Sequence, residues 1–205
     1  MNTPSATIAA IAAAAALLMG ASSVHAANFT LSGQITHHKD VVQVDISLAA
    51  PATGVKIWSD SWMSGLNFDP IAAVWARTGG DFTLISQVDD DDTVAAGQGF
   101  YDTGFSLGNL AAGQYRLTLA ASFNGANGTQ LSQGFAYDGQ APILLTQWMQ
   151  PSHDPNANDQ KGGFWRLNFS NVDDVSVVPE PSGFVLMGLG LVAFATFSAL
   201  ARRRR

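Results

Sequence analysis

The chain has no cysteine, a single glutamate and few lysines, and each shortage narrows what it can be. Without thiols there is no disulfide, no thiolate metal site and no cysteine nucleophile. The fold must be held by its core and by any ion it binds. Between residues 27 and 178 there are six basic and fifteen acidic side chains, a net of −9, and all fifteen acids are aspartate. Such a surface suits nucleic acid poorly, because phosphates call for a basic patch. Glutamate, lysine and helical periodicity are all scarce here, while Asp, Gly, Asn, Ser and Thr are abundant. That composition predicts strands and turns rather than helices.

Long apolar runs are confined to the two ends of the 205 residues, which leaves about 150 for one ordinary domain. Ile8 to Met19 is apolar, and Val24-His25-Ala26 places small residues where a signal peptidase cuts. Residues 1–26 are therefore expected to be a secretory signal, cleaved between Ala26 and Ala27. No Lys or Arg precedes the run, so the α-amino group alone supplies its positive charge. The competing reading is an uncleaved N-terminal membrane helix, for which the run is short and alanine-rich. Gly183 to Ala201 carries no charge over 19 residues. At about 1.5 Å per residue, that reaches across a ~30 Å hydrocarbon layer. Arg202, Arg203, Arg204 and Arg205 follow and are expected to stay cytoplasmic, with the domain outside.

A plain single-span anchor would account for the helix and arginines, but Pro179-Glu180-Pro181 stands directly before them. Two prolines keep this segment extended at the membrane surface, within reach of a protease. The order Pro-Glu-Pro, apolar span and arginine cluster over residues 178–205 resembles the PEP-CTERM sorting signal. The resemblance implies a transient inner-membrane anchor in a Gram-negative cell, with the C-terminus cytoplasmic. It also implies recognition by an exosortase, cleavage near the motif, and release to the cell surface or a biofilm's extracellular polysaccharide matrix. In that setting Glu180 is a processing mark rather than a catalytic acid.

Between the ends, residues 27–177 show short alternating segments punctuated by Gly, Asn, Asp and Pro. Val42, Val44, Ile46 and Leu48 alternate with Gln43, Asp45 and Ser47. Tyr115, Leu117 and Leu119 do the same after Gly113, as do Trp165, Leu167 and Phe169 near the end. Shorter strand candidates are Val55 to Trp58, Ile71 to Ala76, Phe82 to Val88 and Ile143 to Trp148. Gln150 to Gly163, with its prolines and asparagines, reads as a long loop. The fold expected is all-β, an antiparallel, jelly-roll-like β-sandwich. Gly33, Asp40, Asp69-Pro70, Gly79-Gly80, the run Asp89-Asp90-Asp91-Asp92 and Leu110-Ala111-Ala112-Gly113-Gln114-Tyr115 follow one another in an order that resembles the bacterial pre-peptidase C-terminal domain. That resemblance covers residues 29–122 and implies a β-sandwich module of secreted and surface proteins.

The acidic run is the most suggestive local feature. Oxygen ligands on a loop suit Ca²⁺, and adjacent carboxylates repel unless a cation or water screens them. In extended backbone only two of the four can face one ion, so Asp69 and Asp102 are candidate further ligands beside Asp89, Asp90, Asp91 and Asp92. The alternative is a solvated acidic turn. Gly104-Phe105-Ser106-Leu107-Gly108 spells a nucleophile elbow, but Gly113 comes too soon for the helix an elbow needs. His37-His38 and His153-Asp154 read as exposed turn residues, since adjacent histidines diverge and no third ligand is spaced to join them. Trp75 and Trp165 lie on strands and are expected in the core. Trp62 and Trp148 sit beside loop residues, where indole rings stack on sugar C–H faces, and are the candidate ligand-binding residues. The expectation is thus a non-enzymatic exported protein that binds extracellular polysaccharide, with calcium as a candidate cofactor. A secreted hydrolase and an adhesive module with a protein partner are the alternatives.

Overall fold

The computed structural model describes residues 27–149 and 160–179. The expected signal segment, the apolar span, Glu180, Pro181 and the pair His153-Asp154 lie outside the described residues. Nine strands occur in order: β1 (Ala27–Gln34), β2 (Val41–Leu48), β3 (Ala52–Ser59), β4 (Pro70–Thr78), β5 (Asp81–Val88), β6 (Gly104–Leu110), β7 (Gly113–Ala121), β8 (Phe164–Val172) and β9 (Asp174–Val177). One 3₁₀ turn, Leu131–Gln133, is the only helical element among the described residues.

The strands form two antiparallel sheets, ordered β1-β8-β3-β6 and β5-β4-β7-β2-β9. One apolar core joins them. Val55 and Ile57 of β3, Phe105 of β6, and Leu167 and Phe169 of β8 meet Val44 and Ile46 of β2, Val74 of β4, and Leu117 and Leu119 of β7. On β2, and on β7 as far as Leu117, the alternation follows burial, with apolar residues turned to the core; from Leu117 to Ala121 both faces of β7 are buried. On the wet side of that sheet, Arg116 pairs with Asp45 at 2.7 Å and lies 4.4 Å over the Phe82 ring.

β4 breaks the alternation because both of its faces are covered. Ala72, Ala73, Val74 and Trp75 are all buried. Trp75 turns outward and meets Phe135 edge-on at 6.5 Å, in a second cluster with Ala73 and Phe82. The chain after β7 folds back over the five-stranded sheet to supply Phe135.

Two strand-level expectations change. Ile143 to Trp148 is a turn rather than a strand. Leu144 C=O accepts from the Gln147 and Trp148 N–H groups, and only Leu145 and Trp148, three apart, are buried. β1 and β9, absent from the expected set, pair with β8 and β2 respectively.

Candidate functional site

Two loops, residues 60–69 between β3 and β4 and residues 89–103 between β5 and β6, meet at one end of the sandwich. Asp102 joins them. Its Oδ1 accepts from Ser59 Oγ at 2.6 Å, Ser61 N–H at 2.7 Å and Trp62 N–H at 3.2 Å, and its Oδ2 accepts from Gly99 N–H at 2.7 Å. Only 1% of the residue is exposed. With both oxygens engaged by the protein, Asp102 staples the loops, and it lies outside the cluster of Asp69, Asp89 and Asp90. Beside it, Asp60 takes a bidentate pair from Arg166, with N···O distances of 2.7 and 2.6 Å.

The staple sets the position of the Trp62 ring. Trp62 and Tyr101 meet edge to face at 5.0 Å, and Phe100 meets Tyr101 at 4.9 Å. Gly99 is required by the close approach, since a Cβ there would lie 2.5 Å from the Trp62 ring. Met63, Ser64 and Gly65 follow in three successive left-handed conformations, with φ of 51°, 58° and 84°. Such backbone is costly for Met63 and Ser64, and it turns Met63 outward. Phe100, Met63 and Leu66, on the same two loops, are 65%, 52% and 40% exposed. A groove of about 300 Å³ lies alongside, lined by Asp90, Asp91, Asp92, Thr93 and Phe100.

Of the six candidate metal ligands, Asp69, Asp89 and Asp90 come together. Asp91 is turned away: its Oδ1 accepts from Thr93 N–H at 2.9 Å and Thr93 Oγ1 at 2.6 Å, closing a turn. Asp92 is exposed. Burial pushes the Asp89 carboxyl up, partly countered by the Ser122 hydroxyl. Although Asp90 is exposed at its outer side, partial desolvation by its neighbours, and then the Asp89 charge, push its carboxyl up to about 6 from an ordinary 3.8. Raised carboxylates make the folded state bind more protons than the unfolded one between these values, so stability falls as pH rises. In EDTA the melting temperature is expected to drop as pH goes from about 4 to about 6. Asp90→Asn should flatten that slope, and an unchanged slope in the variant would refute this account.

Comparison with protein-family models and with curated proteins gives no match. The remaining candidates are therefore weighed on their geometry.

Trp148 is in the core. Its residue is 6% exposed, and its ring packs against His38 at 5.4 Å and Tyr137 at 6.1 Å. It offers no face to a ligand, so Trp62 alone of the two candidates borders a loop surface. Trp75 and Trp165 are buried, as expected. His38, read as an exposed turn residue, is fully buried. Its Nδ1 is 3.2 Å from the Ile143 N–H and accepts from it, so Nε2 carries the proton and donates to Gln140 Oε1 at 3.0 Å. Neither nitrogen is left for a metal. Ser106 is exposed within β6, a strand that leads through residues 111–112 into β7 without a helix.

Two residues escaped the sequence reading. Phe100 lies between Gly99 and Tyr101, and nothing in its local sequence marks its ring as exposed. Ser122, one residue past β7, is 1% exposed and borders Asp89. Its signal would have been a polar residue ending an apolar strand.

Proposed function

We propose that this chain is an exported, non-enzymatic surface or extracellular-matrix protein that binds exopolysaccharide through the aromatic loops at one end of a jelly-roll-like sandwich. The reading of export and exosortase processing rests on the signal-like residues 1–26 and the PEP-CTERM-like order of residues 178–205. The binding reading is carried by one observation: half-buried Trp62 and Tyr101 and exposed Phe100 form an aromatic cluster beside a groove lined by Asp90, Asp91 and Asp92. Ring faces stack on the apolar C–H patches of sugars, while carboxylates accept from hydroxyls, and the two together suit a glycan chain.

One preparation tests both parts. The form secreted by the host should have the mass of residues 27 to about 181, and it should co-sediment with the host's exopolysaccharide. Phe100→Ala and Trp62→Ala should each weaken co-sedimentation roughly 2–10-fold, the worth of one aromatic contact. Full-length protein recovered from membranes as the sole species would refute the processing. Normal processing without co-sedimentation would refute the glycan reading. It would favour the second reading, a protein partner, for which the exposed side chains of Met63, Leu66 and Phe100 are suited.

A further inference from the structure

The ends of three neighbouring strands meet at one edge of the five-stranded sheet. Asp69 immediately precedes β4, Asp89 and Asp90 immediately follow β5, and Ser122 immediately follows β7. β4 lies between the other two, so pairing of Ala72 with Val88 and of Pro70 with Ala121 brings these flanking residues together. A hydrogen bond from Ser122 N–H to Asp69 C=O at 2.8 Å ties two of them directly. One carboxylate oxygen from each of Asp69, Asp89 and Asp90 lies within 4.8 Å of the others.

We propose that Asp69, Asp89 and Asp90, with the Ser122 hydroxyl, form a divalent-cation site of the calcium type. Carboxylate oxygens within 4.8 Å of one another can all reach one Ca²⁺ ion at bonds of ~2.4 Å. Mg²⁺ demands near-ideal octahedral geometry and gives up its waters reluctantly, and Zn²⁺ prefers nitrogen and sulfur. All four side chains offer hard oxygen, and the carboxylates can each supply one or two. Waters at the exposed Asp90 side can complete six to eight ligands.

Beyond the clustering of acids, the Ser122 hydroxyl points to an ion. Its residue is 99% buried, and Oγ has no hydrogen-bond partner although it borders the Asp89 carboxylate. The hydroxyl is close enough to favour the ionised form of Asp89. Asp89 Oδ1 is likewise buried without a hydrogen-bond partner. Buried polar oxygens are normally satisfied, and a cation here would engage both at once. It would also cancel the repulsion between adjacent Asp89 and Asp90.

The site differs from the run of four aspartates read from the sequence. Asp91 is occupied by Thr93, and Asp92 lies outside the cluster. The ion would fasten residues 89–103 to the start of β4, independently of whether the aromatic loops bind glycan.

The test is calorimetric titration of the EDTA-treated full chain with CaCl₂, paired with melting curves. We expect one site with Kd of about 10⁻⁴ to 10⁻³ M, as extracellular calcium modules show. At 10 mM CaCl₂ the melting temperature should rise by about 3 °C or more, and EDTA should reverse the rise. Asp90→Asn, on an exposed side chain, should weaken binding at least ~10-fold, the consequence of losing one ligand charge. Ser122→Ala should weaken it several-fold, whereas Asp92→Asn should leave it unchanged. MgCl₂ at the same concentration should give a smaller rise. No heat and no shift with calcium would overturn the proposal. An undiminished response in folded Asp90→Asn, or a response abolished by Asp92→Asn, would overturn the assignment of these ligands.

Discussion

Asp102→Ala is expected to destabilise the protein by about 3–5 kcal/mol, more than most surface-loop substitutions. One buried carboxylate accepts from the Ser59 hydroxyl and from the N–H groups of Ser61, Trp62 and Gly99. Hydrogen bonds to a charged acceptor contribute about 1.5–3 kcal/mol each, though not additively when one group accepts all four. Alanine removes the acceptor and leaves the donors facing a cavity. Asp102→Asn is the informative partner. Its amide oxygen can still serve Ser59, Ser61 and Trp62, but its NH₂ would point at the Gly99 N–H, donor against donor. Its loss should be clearly smaller. Because Trp62 and Tyr101 are positioned by these bonds, co-sedimentation with exopolysaccharide should also fall in Asp102→Ala. Urea denaturation measures the stability term. A loss below about 1 kcal/mol would mean the loops are held by something else.

The parts of the fold readable from sequence are those where one side of a strand faces water. On β2 and the first half of β7, Val44, Ile46, Tyr115 and Leu117 alternate with polar residues because the opposite side is wet or half-covered. β4 is harder to read, since Phe135 arrives from a distant segment to bury its outer face and the alternation disappears. Ile143 to Trp148 looked like a strand for its apolar content. Its buried pair, Leu145 and Trp148, instead has the spacing of a turn. Loop residues show the same limit. Trp62 and Trp148 have similar neighbours in sequence, and what separates them is whether His38 and Tyr137 close over the ring. Asp69 and Asp102 likewise resemble each other as lone acids beside strands. Asp102 faces backbone donors from two loops, while Asp69 faces other carboxylates, and only the pairing of β4, β5 and β7 decides which. The four-aspartate run marked the right loop, but not which two of its members converge with Asp69.

Leu117→Ala tests the centre of the sandwich and should cost roughly 2–5 kcal/mol. Leu117 lies on β7, the middle strand of its sheet, directly opposite Val44 on β2 and Val74 on β4. None of the three is exposed at all. Truncation removes about three methylene equivalents of buried surface and opens a cavity under strands that hydrogen bonds hold on both sides. Such a row can collapse only by bending the sheet, which places the expected cost in the upper half of that range. At 2–4 °C per kcal/mol for a chain of this size, the melting temperature should fall by about 7–20 °C. Leu117→Met should lose less than about 1.5 kcal/mol, because it nearly conserves volume. The same calcium response in Leu117→Ala as in the parent would show that the core and the Asp69 cluster act separately. A loss under about 1 kcal/mol for Leu117→Ala would mean that this row does not form the interior of the domain.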